Sequence, residues 1–267
     1  MKPLWAAALA CAALPACADE LPGFAAGADV VVLGEIHDNP GHHQRQAELI
    51  VQIGPAAVVF EMLTPEQAGT INSMGQADPE AIDWAESGWP DFALYAPVFA
   101  ATEGLQHYGA MLPRPLVRRA FAEPPEQLFA AIWQGDGPPP DFGLADHLPE
   151  VEQAEREAGQ MASHCDALPP EILPGFVAAQ RLRDAALAGE ALRALAETGG
   201  PVVVIAGNGH AREDWGVPAL LARLPDAPQV ASLGQFEGEA AEADAPFDAT
   251  ALSPPTPRDD PCRAFRD

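Results

Sequence analysis

The residues equipped for chemistry fall in three short stretches: Glu35 and His37 in Gly34-Glu35-Ile36-His37, Glu61 after Val58-Val59-Phe60, and Asn208 and His210 in Gly207-Asn208-Gly209-His210. Glu35 and His37 are two apart, which in extended backbone puts them on one face. A glutamate beside a histidine orients the ring or holds its proton, and Glu61 from a neighbouring strand brings a second carboxylate near it. Such a set suits activation of water, with Glu35, His37, Glu61 and His210 as catalytic candidates. It equally suits a divalent metal held by His37, Glu61 and His210, a mixed nitrogen and oxygen donor set, although no His-Glu-x-x-His helix accompanies it. His42 and His43 precede the first predicted helix and face the same rim, where neutral imidazoles could donate to or coordinate a ligand. No Gly-x-Ser-x-Gly elbow or paired catalytic cysteine occurs, so acyl-enzyme chemistry through Ser or Cys is unsupported.

A lone histidine after a strand is usually a satisfied structural group; it is the shared position of these residues that points to a site. Ala28 to Leu33 is a continuous β-branched run ending at Gly34, the pattern of a strand buried on both faces, and Ala56 to Glu61 repeats it. Between them, His43 to Ile53 has helical spacing, which makes a right-handed crossover between parallel strands. A helix through Tyr95 to Glu103, a weaker strand over Gln106 to Met111, a strong one over Pro201 to Ala206, a helix with Pro218 to Leu224 and a strand over Gln229 to Leu233 follow. The expectation is an α/β fold, a mostly parallel sheet flanked by helices with an inserted helical subdomain. Residues 19–267 form one domain, with the insertion at about 115–197 and an irregular, acid- and proline-rich tail from about 238. In such a sheet ligands bind beyond the carboxyl ends of the strands, where the polar residues above fall.

The chain has 267 residues, 48% of them hydrophobic, and a formal charge of -25 from 39 acids against 14 bases. That balance argues against nucleic acid or an anionic membrane surface as a partner. Lys2 followed by the apolar run Leu4 to Leu14 predicts an export signal over 1–18. Ala16-Cys17-Ala18 fits ordinary cleavage, and Leu14-Pro15-Ala16-Cys17 approaches a lipobox that would leave a lipid anchor on Cys17 as the one membrane contact. Either product is extracytoplasmic, in the periplasm or cell envelope. Cys165 and Cys262 remain in the body and suggest one disulfide in an oxidising compartment; a thiol metal site of His164 and Cys165 is the alternative.

Leu33-Gly34-Glu35-Ile36-His37-Asp38-Asn39-Pro40 with His42, His43 and Gln46, then Phe60-Glu61-Met62, Trp89-Pro90 with Tyr95, Leu112-Pro113-Arg114, His164-Cys165, Gln180 to Asp184 and Ile205 to His210 with Gly216-Val217-Pro218 appear in the order found in one family. In combination they resemble the ChaN family of haem-binding proteins, within a Tiki-like superfamily that also holds metal-dependent proteases and erythromycin-esterase-like hydrolases. The resemblance implies an exported protein of haem and iron acquisition, in which a homodimer encloses haem and a tyrosine oxygen ligates iron. Tyr95 and Tyr108 are the two tyrosines available; Tyr95, in a segment matching the family, is the preferred ligand, with a rim histidine as the other choice. Arg114, Arg118 or Arg119 would meet the propionates, Trp84, Trp89 and Phe92 the apolar face, and Asn208 the bound cofactor. The superfamily equally implies the alternative, a hydrolase in which Glu35, His37, Glu61 and His210 activate water with or without a divalent metal.

Overall fold

The computed structural model of the chain describes residues 23–239, 244–260 and 262–263. The expected export segment, Cys17 included, lies outside the described residues. β1 (Val30–Glu35) is buried at every position, as a strand covered on both faces must be. Its following turn ends at Asn39, whose side chain accepts from the Gly41 and His42 N–H groups and so starts α1 (Pro40–Ile53); Gly54, at φ 59°, stops it. β2 (Ala57–Phe60) follows, then α2 (Pro65–Met74), started by a Thr64/Gln67 capping box. α3 (Phe92–Ala101) leads into β3 (Gln106–Gly109). Four helices come next: α4 (Arg114–Arg119), α5 (Pro125–Ile132), α6 (Glu150–Ser163) and the long α7 (Leu173–Thr198). β4 (Val202–Gly207), α8 (Asn208–Ala211), α9 (Val217–Ala222), β5 (Val230–Glu237) and β6 (Ala249–Ser253) complete the described chain.

The strands pair in parallel in the order β3-β2-β4-β1-β5-β6. Glu35 stands opposite Gly207, and Phe60 opposite Ile205, so the carboxyl ends of β1, β4 and β2 finish at one level. Side chains alternate between two cores. Val30 and Val32 pack with Val59, Val204 and the apolar face of α7, whereas Val31 and Leu33 pack with Ile50 of α1 and with Val98 and Phe99 of α3. The α/β expectation and the parallel crossover are therefore observed.

Local details differ from the sequence reading. His42 and His43 lie inside the first turn of α1, because Pro40 tolerates the first helical position, where no N–H is needed. The tail holds regular structure: β6 pairs with β5 from Leu233–Ala249 to Glu237–Ser253. Its half-exposed edge position allows a short, broken apolar pattern, which masked it in the sequence. α7 lies directly on β2 and β4 and forms much of one core.

Cys165 and Cys262 are joined in a disulfide with a Cα–Cα distance of 5.4 Å, which removes the thiolate that a His164–Cys165 metal site would need. The bond closes 97 residues of chain. Replacing both cysteines by serine is expected to lower unfolding free energy in urea by about 2–4 kcal/mol. An unchanged midpoint would show that the tail is held without the crosslink.

Candidate functional site

The carboxylate of Glu35, at the end of β1, is wholly enclosed. One oxygen accepts the Tyr95 hydroxyl at 2.7 Å and the His37 Nδ1–H at 2.8 Å; the other accepts the Gln46 amide at 2.8 Å and lies 3.5 Å from His43 Nε2. Burial alone would raise this carboxyl, but the His37 bond and the two imidazoles outweigh it and hold Glu35 ionised, well below the usual carboxylate range. An ionised acceptor fixes the His37 tautomer: Nδ1 carries the proton and Nε2 faces outward.

His37 stands edge-on to Trp89, its ring centroid 4.8 Å away, and about a third of its side chain is exposed. Its Nε2 lies 3.9 Å from Glu61 Oε2. Burial lowers the basicity of the ring, but the bond to Glu35 and the charges of Glu61 and Glu35 outweigh it, for a net increase. Glu61, just past β2, accepts the Gly207 N–H at 2.7 Å and faces His210 Nε2 at 3.3 Å. The other nitrogen of His210 meets Asp184 Oδ1 at 2.6 Å. Burial works against charge on this ring, yet the flanking carboxylates push it up to about 10 and bring Glu61 down to about 2. Asp184, wholly buried, is raised by burial despite His210. Glu61, His210 and Asp184 thus form a charged relay across the strand ends.

His37, Glu61 and His210 floor a cleft of about 440 Å³, with Glu35 and Asp184 behind them. Trp89, Met111, Leu112 and Leu187 supply apolar wall, and the Trp89 indole N–H contacts the Met111 sulfur at 3.2 Å. Arg114 reaches the cleft past Gly88, where a side chain would crowd its guanidinium. Of the residues expected at the rim, Glu35, His37, Glu61, His210 and Arg114 converge here. The others are engaged elsewhere.

Tyr95 is corrected from iron ligand to buried support. It is 0% exposed, its hydroxyl is donated to Glu35, and burial with that adjacent carboxylate raises its pKa. Tyr108 donates to Glu197 at 2.7 Å beneath the Arg193 guanidinium and does not line the cleft. His42 accepts the Ile36 N–H on Nδ1 and meets Ser253 Oγ through Nε2 at 3.0 Å, bracing the site loop against β6. His43 lies tilted against Tyr95, ring centroids 4.1 Å apart, behind Glu35. The Asn208 amide is consumed by the backbone of Gln235 in both directions. Arg119 pairs with Glu123, and Trp84 and Phe92 pack together in the core under α3. Among the described residues no group of three His, Cys, Asp or Glu side chains stands in a metal-holding arrangement; His37, Glu61 and His210 are neighbours through the contacts given above.

Sequence reading gave no role to Arg183, which lines the cleft, to Asp184, which is sealed beneath His210, or to Gln46. Gln180 and Asp184 carry a legible signal, being four apart and so on one face of α7.

A family model described as haem-binding uptake, Tiki superfamily, ChaN matches residues 23–221. Comparison with the curated proteins finds no match. Among solved structures, ChaN of Campylobacter jejuni, described by its cofacial heme binding, superposes with a TM-score of 0.60 at 19% identity, over 83% of this chain and 86% of that one. A mutant of the erythromycin esterase EreC in its open conformation gives 0.46 at 14% identity, over 84% and 76%. The first of these likenesses shows the fold.

The relay has a pH signature. His210, raised from 6.5 to about 10, contributes stability in full below pH 6.5 and loses it as pH rises through about 10. Glu61, lowered from 4.5 to about 2, contributes above pH 4.5 and loses that as pH falls towards 2. The urea midpoint is expected to fall between pH 6.5 and 10 in wild type and to fall less in H210Q. Equal slopes would exclude the charged form of His210.

Proposed function

The chain belongs to the ChaN family of haem-binding uptake proteins in the Tiki superfamily, and on that premise we propose that its cleft binds haem, with His37 as the residue that would hold the iron. One observation carries this. His37 is held through Nδ1–H by a buried, ionised carboxylate while Nε2 faces a cleft with apolar walls. A carboxylate behind the ring is the usual outer partner of a metal-ligating histidine, fixing its orientation and raising its basicity. The apolar wall of Trp89, Met111, Leu112 and Leu187 suits a macrocycle face, and haem supplies the iron that Nε2 would ligate.

We further propose that the protein is exported and serves haem or iron acquisition in the periplasm or cell envelope, anchored there if Cys17 is acylated. The segment from Lys2 to Leu14 supports export, and the Cys165–Cys262 disulfide suits an oxidising compartment. A second copy of the chain over the open side of the cleft would shield the remaining macrocycle face, which makes the homodimer part of the proposal.

A second reading draws on the same dyad, because a histidine oriented by Glu35 is also a general base. Ser87 lines the cleft but donates its hydroxyl to the Trp84 carbonyl at 2.6 Å, so water would be the nucleophile. This reading requires turnover of an ester or amide that is lost in H37A.

Titrating the protein with haemin is expected to give a saturable Soret change. H37A should shift the band and weaken binding by about tenfold or more, while Y95F retains the wild-type band. Affinity should increase with pH as His37 releases the proton that competes with iron. No saturable change in wild type, or a band lost in Y95F and kept in H37A, would overturn the assignment.

A further inference from the structure

Most paired arginines in this acidic chain spend their guanidinium on a carboxylate of the chain itself: Arg119 on Glu123, Arg193 on Glu190, Arg212 on Asp214, Arg223 on Asp146 and Arg258 on Asp38. Arg183 and Arg114 do not. Both line the cleft, and among the described residues neither makes a hydrogen bond or an ion pair. Arg183 projects from α7 and is only partly exposed; burial lowers its pKa, and Glu61 and Asp184 oppose this from beyond ion-pair distance. With 39 acids and 14 bases in the chain, carboxylates are abundant, so a partly desolvated cation left without one is costly unless a ligand brings the anion.

The same helix defines what the rest of that ligand is. Ala110, Met111 and Leu112 line both the cleft and a second cavity of about 220 Å³, walled by Leu116, Phe129 and Trp133. Small residues of α7, Ala186 and Gly189, open this annex, and a Cβ at Gly189 would press on Phe129 at 3.2 Å. Gln180 borders the cleft and Gly189 the annex, a separation of roughly 14 Å along the helix. A cationic end and an apolar end therefore share one continuous wall.

We propose that Arg183 and Arg114 form a carboxylate-binding site, and that the ligand is an apolar acid whose body extends past Met111 and Leu112 into the annex. This rests on the cleft being the ligand site, as in the haem reading, since haem is such an acid; it does not rest on iron ligation. Arginine suits the role because its planar fork engages a carboxylate with two parallel hydrogen bonds.

The test uses metal-free protoporphyrin, its dimethyl ester and palmitate, with binding followed by fluorescence and by competition. Wild type is expected to bind the diacid about tenfold or more tighter than the ester, and R183Q to lose that preference. Ligand-free R183Q should melt at the wild-type temperature or above it, because an unpaired, partly buried charge has been removed, and that separates weaker binding from unfolding. R114Q repeats the measurement at an exposed position. Arg183-dependent binding of protoporphyrin identifies a macrocycle as the body, and the same dependence for palmitate identifies an acyl chain; either supports the site. Diacid binding unchanged in both variants, or equal affinity for ester and diacid in wild type, would overturn it. A haemin Soret band that depends on His37 but not on Arg183 sinks this proposal alone. Arg183-dependent binding of protoporphyrin with no His37-dependent Soret change sinks only the iron assignment.

Discussion

Everything near the cleft is organised by one buried negative charge, the carboxylate of Glu35. An ion taken out of water is penalised by several kcal/mol unless it is fully coordinated. Here the coordination draws on three parts of the chain: Gln46 and His43 from α1, Tyr95 from α3 and His37 from the loop after β1. The pairing of α1 with α3, the packing of Tyr95 under the site and the orientation of the His37 ring are therefore parts of one solution. Removing any donor would leave the charge short of a partner in a dry setting.

The second array, Glu61 with His210 and Asp184, ties the other side of the cleft to α7 in the same way. His210 remains charged because two carboxylates flank it, and Glu61 remains ionised because His210 and the Gly207 N–H face it. In each array the carboxylates are held mainly by histidines of the same array. His37 differs from the rest. Its inner nitrogen is committed and its outer nitrogen faces the cleft, so it is the member available to a ligand.

The C-terminal segment also bears on the site. Arg258 bridges Asp38, next to His37, and Glu237 at the end of β5, while Asn39 bonds Glu237 and Ser253. Through these contacts and the bond from His42 to Ser253, the tail braces the loop that carries His37. The family match ends at residue 221, so this brace lies beyond it.

The parallel core strands, the helical crossover and the convergence of Glu35, His37, Glu61 and His210 were legible in the sequence. Continuous β-branched runs report burial on both faces, and the ends of neighbouring parallel strands must meet at one rim. The disulfide followed from counting cysteines. Tertiary structure alone decided which polar residues face the cleft and which face inward. Tyr95, His42 and Asn208 have the same chemistry as true ligands, but each is engaged by a partner far along the chain, as in the bond from Tyr95 to Glu35 across sixty residues, and His43 is buried behind Glu35. Arg183 and Asp184 are adjacent in sequence, yet one borders the cleft and the other is sealed under His210. Residue type and local period carry the pattern of burial, whereas a side chain's partner depends on long-range packing, and that is what separates a ligand from a support.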